Sequence, residues 1–238
     1  MQKTAQEKQE VRDAFRRIAG RYDLMNALCS FGIERWWRRR AVAALEVQPA
    51  SYLLDLCAGT LTVSADIVRA GRGVRVLALD FCAEMLLVGE ERLSPEPEVL
   101  QRIDRVCAEG EAIPVREHTF DGAIVTYGVR NLADPRAGLA EMQRVLKPGA
   151  RLVILEFTRP SLPFFRAFYH FYLGRIMPLI GAAVAGSCGA YEYLSTSIGA
   201  FMEPAILLEM LRDVGFEKPC MSRHTLGTVG LYRAQKPR

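Results

Sequence analysis

With 238 residues, 50% of them hydrophobic and 24% charged, the chain suits one α/β domain with appended elements and is too apolar for disorder. A formal net charge of +4 is too weak a bias for a nucleic-acid protein. Six cysteines without a Cys-x-x-Cys or a histidine at ligand spacing argue against a metal centre and for thiols in a reducing compartment.

The polar start MQKTAQEKQE carries no secretory pattern. Val11 to Ala19 reads as an amphipathic helix, followed by a polar and aromatic segment. There Arg35, Arg38, Arg39 and Arg40 surround Trp36 and Trp37, a cluster that suits either anionic lipid headgroups or a solvated face. A regular alternation then begins. YLLDLC (52–57), VRVLALD (74–80), RIDRVC (102–107), DGAIVTY (121–127) and RLVILEF (151–157) read as buried strands. Helices are expected over Thr62–Arg69, Ala83–Leu93 and Asp134–Leu146, the last stopped by Lys147-Pro148-Gly149. A late helix spans Pro204–Val214, and two strands near Lys218–Arg223 and Thr228–Arg233 close the chain. Cys57, Cys82 and Cys107, in or just after apolar runs, are expected to pack as small hydrophobes.

This order predicts a Rossmann-like α/β domain: a mostly parallel seven-stranded sheet with helices on both faces and an antiparallel C-terminal edge. Residues 158–202 form an insertion too apolar for a loop and are read as a helical cap, and residues 1–45 as an N-terminal helical lid. Arg166, His170, Arg175 and Pro178 interrupt the apolar run from Phe164 to Ala185, which argues against a spanning helix. The expected location is the cytoplasm, at most peripheral to the inner face of a membrane.

Ligands of such sheets lie at the carboxyl ends of strands, here Asp55–Thr60, Asp80, Glu109–Gly110 and Thr126–Asn131. In the turn Asp55-Leu-Cys-Ala-Gly-Thr60, Gly59 lets backbone N–H groups approach a ligand at a helix N-terminus. A single glycine disfavours a dinucleotide and suits a smaller anionic group such as an amino-acid carboxylate. Asp80 stands where a carboxylate accepts both hydroxyls of a ribose, with a helix N-cap as the plainer role. Together the two features fit S-adenosylmethionine. Arg130 could pair with Asp134 at a helix entry. His118 reads as solvated, and His170 as packed or as a reserve base. The aromatic series from Phe164 to Tyr172 packs on the core or lines a channel for an apolar tail.

The stretches FRRIAGRYDLMNALCSFGIERWWRR (15–39), GVRNLADPRAGLAEMQRVLKPGARLVILEF (128–157) and YEYLSTSI (191–198) resemble the ubiquinone/menaquinone biosynthesis C-methyltransferases, a branch of the class I S-adenosylmethionine-dependent methyltransferases. The resemblance covers nearly the whole chain. It implies methyl transfer to a ring carbon of a prenylated quinol, demethylmenaquinol first. It assigns Asp55, Gly59 and Thr60 to the methionine side of the cofactor and Asp80 to the ribose. Glu109 and Gly110 fall at the adenine, with Thr126 beside the cofactor. Arg130 and Asn131 look like the substrate-activating pair, and Tyr22 like a lid residue facing the ring; with no strong base in view and Arg130 too basic to serve, a water relayed through the pair is expected to take the proton. A homodimer through the cap or the edge hairpin is compatible with this reading.

The chain departs from the family at three places. It has Gly59-Thr60-Leu61-Thr62 for Gly-Thr-Gly-Asp, Glu109-Gly110-Glu111 for Asn-Ala-Glu, and Arg223-His-Thr-Leu-Gly227 for Asn-Leu-Thr-Gly-Gly. A left-handed backbone at Leu61 would carry strain, and Thr62 lacks the acid at the helix start. The alternatives to an active enzyme on a quinol are a non-catalytic assembly subunit with the same fold or a methyltransferase for another small aromatic or lipid.

Overall fold

The structure is a computed structural model that describes residues 4–160, 169, 171–176 and 196–238. Three helices precede the sheet: α1 (Ala5–Ile18), α2 (Tyr22–Cys29) and α3 (Glu34–Ala44). The first starts earlier than its apolar spacing suggested, because Thr4 and Glu7 form a reciprocal capping box. Then follow β1 (Tyr52–Leu56), α4 (Thr62–Ala70), β2 (Arg75–Asp80), α5 (Ala83–Leu93), the short α6 (Pro97–Leu100) and β3 (Ile103–Cys107). The second half has β4 (Phe120–Thr126), α7 (Pro135–Val145), β5 (Leu146–Phe157), α8 (Pro204–Asp213), β6 (Glu217–His224) and β7 (Val229–Gln235).

The sheet has the order β3-β2-β1-β4-β5-β7-β6, with only β7 antiparallel to its neighbours. The seven-stranded expectation holds, antiparallel edge included. Alternate side chains feed two cores. Leu53, Val76 and Val153 pack with α3 and α4 on one face, and Leu54, Leu77 and Ile154 with α7 and α8 on the other. Asp55 shares the Leu53 face and so points at α4.

The chain runs outward from β1 to β3 and then returns to β4 beside β1. Connections therefore leave in opposite directions at the carboxyl ends of β1 and β4, which opens a crevice there.

Two expectations need correction. Cys107 is exposed, because it ends the edge strand β3. Cys57 is half-buried at the end of β1, while Cys82 alone of the three is fully buried. Most of the cap expected over 158–202, including His170 and the segment 177–195, lies outside the described residues. Among the described residues no helix is long and apolar enough to cross a membrane.

Candidate active site

The turn after β1 is wound tightly. Cys57, Gly59 and Leu61 all take left-handed backbone conformations, with φ of 57°, 53° and 61°. At Gly59 this is cheap; at Leu61 it is strained. The Leu61 side chain is fully buried, and Gly89 of α5 makes room for it. A Cβ on Gly89 would lie 2.6 Å from Leu61 Cγ and 2.6 Å from the Thr60 carbonyl carbon. Hydrophobic burial thus offsets the backbone strain.

Asp80 ends β2 beneath this turn. Its Oδ2 accepts the Gly59 N–H at 2.8 Å and its Oδ1 the Cys82 N–H at 2.9 Å. Burial pushes its carboxyl up to about 6, against the backbone donors that favour the ionised form. Asp55 is fully buried and accepts Ser64 Oγ at 2.6 Å, and burial pushes it up to about 7. It braces α4 from below.

Two cavities meet at the carboxyl ends of β1 and β4. The larger, about 140 Å³, lies under α1 to α3, and Tyr22, Gly59, Thr60, Thr126 and Arg130 all line it. The smaller, about 20 Å³, is lined by Asp80, Glu109, Gly110 and Asn131 and covered by Lys8 and Val11 of α1. Cys57 belongs to both walls, so it marks their junction. Asp55 lines neither. Glu109 forms ion pairs with Arg12 at 2.9 Å and Lys8 at 3.9 Å, which hold α1 over the smaller cavity.

Arg130 and Asn131 are parted. They sit in one 3₁₀ turn, Val129–Asn131, where successive side chains point about 120° apart. Arg130 turns into the larger cavity. Asn131 lines the smaller one, with its Nδ2 donating to the Tyr127 carbonyl at 3.3 Å. Arg130 is buried and ion-paired with the fully buried Glu156 of β5, and its guanidinium lies 5.3 Å over the Phe157 ring. Asp134, the partner considered from sequence, caps α7 by accepting the Arg136 and Ala137 N–H groups at 3.0 and 3.2 Å.

Tyr22 is brought to the same cavity. Its ring passes 4.0 Å from the place a Cβ on Gly59 would occupy. Burial raises its pKa, opposed by the nearby Arg130 charge, so the phenol stays protonated at neutral pH.

These features fit a nucleoside-linked amino acid. A carboxylate ends the second strand, Gly59 leaves the turn open, and a Cβ at Gly110 would meet Leu132 at 2.8 Å. The match with known proteins is of the same kind. The model of the ubiE/COQ5 methyltransferase family covers residues 1–236. The chain belongs to that family. It is 36% identical to the ubiquinone/menaquinone biosynthesis C-methyltransferase UbiE of Geobacter sulfurreducens, over 99% of this chain and 92% of that one. It is 39% identical to the demethylmenaquinone methyltransferase of Paenarthrobacter aurescens, over 96% and 87%. Among solved structures, a Thermotoga maritima S-adenosylmethionine-dependent methyltransferase superimposes with a TM-score of 0.66 at 16% identity, covering 95% of this chain and 99% of that one. At that identity the likeness concerns the fold.

The site also gathers residues that sequence reading passed over. Glu156 is one, and its signal was a lone acid inside the apolar run RLVILEF. Asp23 is another. Its Oδ1 accepts Thr60 Oγ1 at 2.8 Å and Thr62 Oγ1 at 3.3 Å, so a carboxylate from α2 stands at the start of α4 where the chain carries Thr62. Arg92 of α5 closes the group, donating to Asp23, to Thr62 Oγ1 at 2.7 Å and to the Thr60 carbonyl at 2.6 Å. His224 lies outside both cavities, edge-on to Trp36 at 5.3 Å.

Proposed function

We propose that this methyltransferase moves the methyl group of S-adenosylmethionine to a ring carbon of a prenylated quinol, demethylmenaquinol in the first place. The observation that carries the reading is the larger cavity. It is walled by Phe15, Trp37, Tyr127 and Phe157, is lined by the buried Arg130, and meets the Asp80 cavity at Cys57.

When bound, S-adenosylmethionine supplies a sulfonium methyl that needs no further activation. Asp80 would hold its ribose, Gly110 and Glu109 its adenine, and Gly59, Thr60 and Thr126 its methionine part. Asp55 supports the same turn through Ser64. The remaining work is on the substrate. A free phenol titrates near 10, judged from tyrosine, and its carbon becomes nucleophilic only as the neighbouring oxygen gains charge. Arg130 supplies a permanent cation for that oxygen. Glu156 holds the guanidinium in place while taking one of its donors, and Phe157 and Tyr22 exclude water. Asn131, on the far side of the turn, steadies the Tyr127 carbonyl rather than the ring oxygen.

A tail that is insoluble in water calls for access from a bilayer. Leu24, Leu28, Phe31, Ile33 and Trp36 are exposed together on α2, α3 and their connection, beside the exposed Arg35, Arg39 and Arg40. This supports peripheral contact with an anionic membrane surface.

The test is anaerobic incubation of the protein with S-adenosylmethionine and reduced demethylmenaquinone, followed by mass spectrometry. Gain of one methyl group on the ring is expected. No product, together with no heat on titration with S-adenosylmethionine, would overturn the proposal and favour the assembly-subunit alternative.

A further inference from the structure

The larger cavity has a second polar wall that the reaction as derived leaves unused. Glu34 opens α3 and lines the cavity, yet is only 4% exposed. A glutamate in a first helical turn ordinarily keeps its charge in water while serving the helix dipole. Here its Oε2 accepts Ser30 Oγ at 2.5 Å, and Arg38 comes no nearer than 3.6 Å. That is an ion pair without a hydrogen bond. Arg38 Nε and Tyr127 Oη are buried with no hydrogen-bond partner among the described residues, and both residues line the same cavity. Tyr127, Glu34, Arg38 and Arg130 line this one cavity, and the Tyr127 ring stacks at 4.6 Å on Phe157, the ring that Arg130 covers.

Buried charges and hydroxyls persist in native folds when something satisfies them. The Arg130–Glu156 pair has direct hydrogen bonds and the Phe157 N–H at 2.9 Å. The Arg38–Glu34 pair has only the Ser30 hydroxyl on its acid. A hydroxyl group brings one donor and two acceptor sites, which matches one carboxylate and two N–H or O–H donors.

We propose that Glu34, Arg38 and Tyr127 form a second oxygen-binding wall that receives the ring hydroxyl opposite the one held at Arg130. The site then selects rings with two opposed hydroxyls over simple phenols. Glu34 accepts the hydroxyl hydrogen, and Arg38 and Tyr127 donate to its oxygen. The inference rests on the quinol reading above and deepens it, because an opposed pair of oxygens is what separates a quinol from other phenols.

The test compares two rings bearing the same short prenyl chain. One is the naphthohydroquinone; the other is the naphthol that keeps the hydroxyl beside the methylated carbon and lacks the opposite one. Anaerobic kcat/KM and dissociation constants from tryptophan quenching are measured for wild type, Glu34→Gln and Tyr127→Phe. Wild type should prefer the hydroquinone by about tenfold or more, and the preference should shrink to less than about threefold in both variants. Each ratio is internal to one protein, so a partly unfolded variant does not distort it. Tyr127→Phe deletes only an unpartnered hydroxyl and should fold. Equal preference in wild type, or an undiminished ratio in both variants, overturns the inference. A wild type that methylates neither ring sinks the quinol reading instead, and the binding ratios still judge the wall.

Discussion

Asp23 and Arg92, distant in sequence, clasp each other directly over the turn that follows β1. Asp23 belongs to α2, which also begins with Tyr22, and Arg92 to α5. Between them they bind both threonine hydroxyls of the turn and the Thr60 carbonyl. The position of α2 and the shape of the turn are therefore one mechanical unit.

Asp23→Asn and Arg92→Met should loosen that unit. Both side chains are about one-third exposed, so the loss of stability stays within about 1 kcal/mol. The affinity for S-adenosylmethionine should fall by about tenfold, since a turn that must be ordered on binding weakens it. Calorimetric titration beside a thermal melt reads both quantities. A melt that drops sharply with unchanged affinity would refute the coupling.

Arg130→Leu should abolish turnover with far less effect on cofactor affinity. It also strands Glu156, a fully buried carboxylate, and should destabilise the fold by about 3–5 kcal/mol. The double variant Arg130→Leu/Glu156→Leu removes the stranded charge. It should recover most of the stability in urea denaturation while remaining inactive. Recovery of activity along with stability would show that Arg130 serves the fold alone.

Leu61→Gly would restore the family residue and relieve a left-handed leucine, a gain of about 1 kcal/mol. It would also empty a fully buried site, at a cost of roughly 2–5 kcal/mol. The larger effect wins. Net destabilisation of roughly 2 kcal/mol is expected in denaturant titration, and stabilisation would show that the strain at Leu61 outweighs its burial.

Affinity for S-adenosylmethionine should rise with pH through about 6, where Asp80 ionises. In the proposed binding mode the ribose hydroxyls would donate to the carboxylate, and protonation would remove an acceptor site. Asp80→Asn should flatten this part of the profile. Stability has the opposite slope. Asp55 and Asp80 both titrate above their unfolded value, so the native state holds more protons between about pH 4 and 7 and is destabilised as pH rises through that range. Asp55→Asn should remove much of that slope in melts taken from pH 4 to pH 8.

Much of this was legible in residue order. Strands rich in leucine and valine, stops such as Lys147-Pro148-Gly149, and acids at strand ends act over a few residues. The alternation of elements, the parallel sheet with its antiparallel edge and the placing of Asp80 could therefore be read without coordinates. The family-specific stretches added the chemistry. Less local features were missed. The N-terminal segment showed no helical caps beyond Thr4, so α2 and α3 could not be delimited. Cys107 looked like a core residue because a strand's own pattern does not reveal whether it lies at the sheet edge.

By itself, then, the sequence determined the kind of sheet, the end of it where the cavities open, and most of the residues gathered there. Only the tertiary structure decided how those residues pair. It set Glu156 against Arg130, turned Asn131 away from it, brought Asp23 to Thr60 and Thr62, and buried Glu34 beside Arg38. Periodicity and turn chemistry are local and are written in neighbouring residues. Pairing across β5, the 3₁₀ turn and the N-terminal helices depends on which distant elements become neighbours, and packing alone sets that.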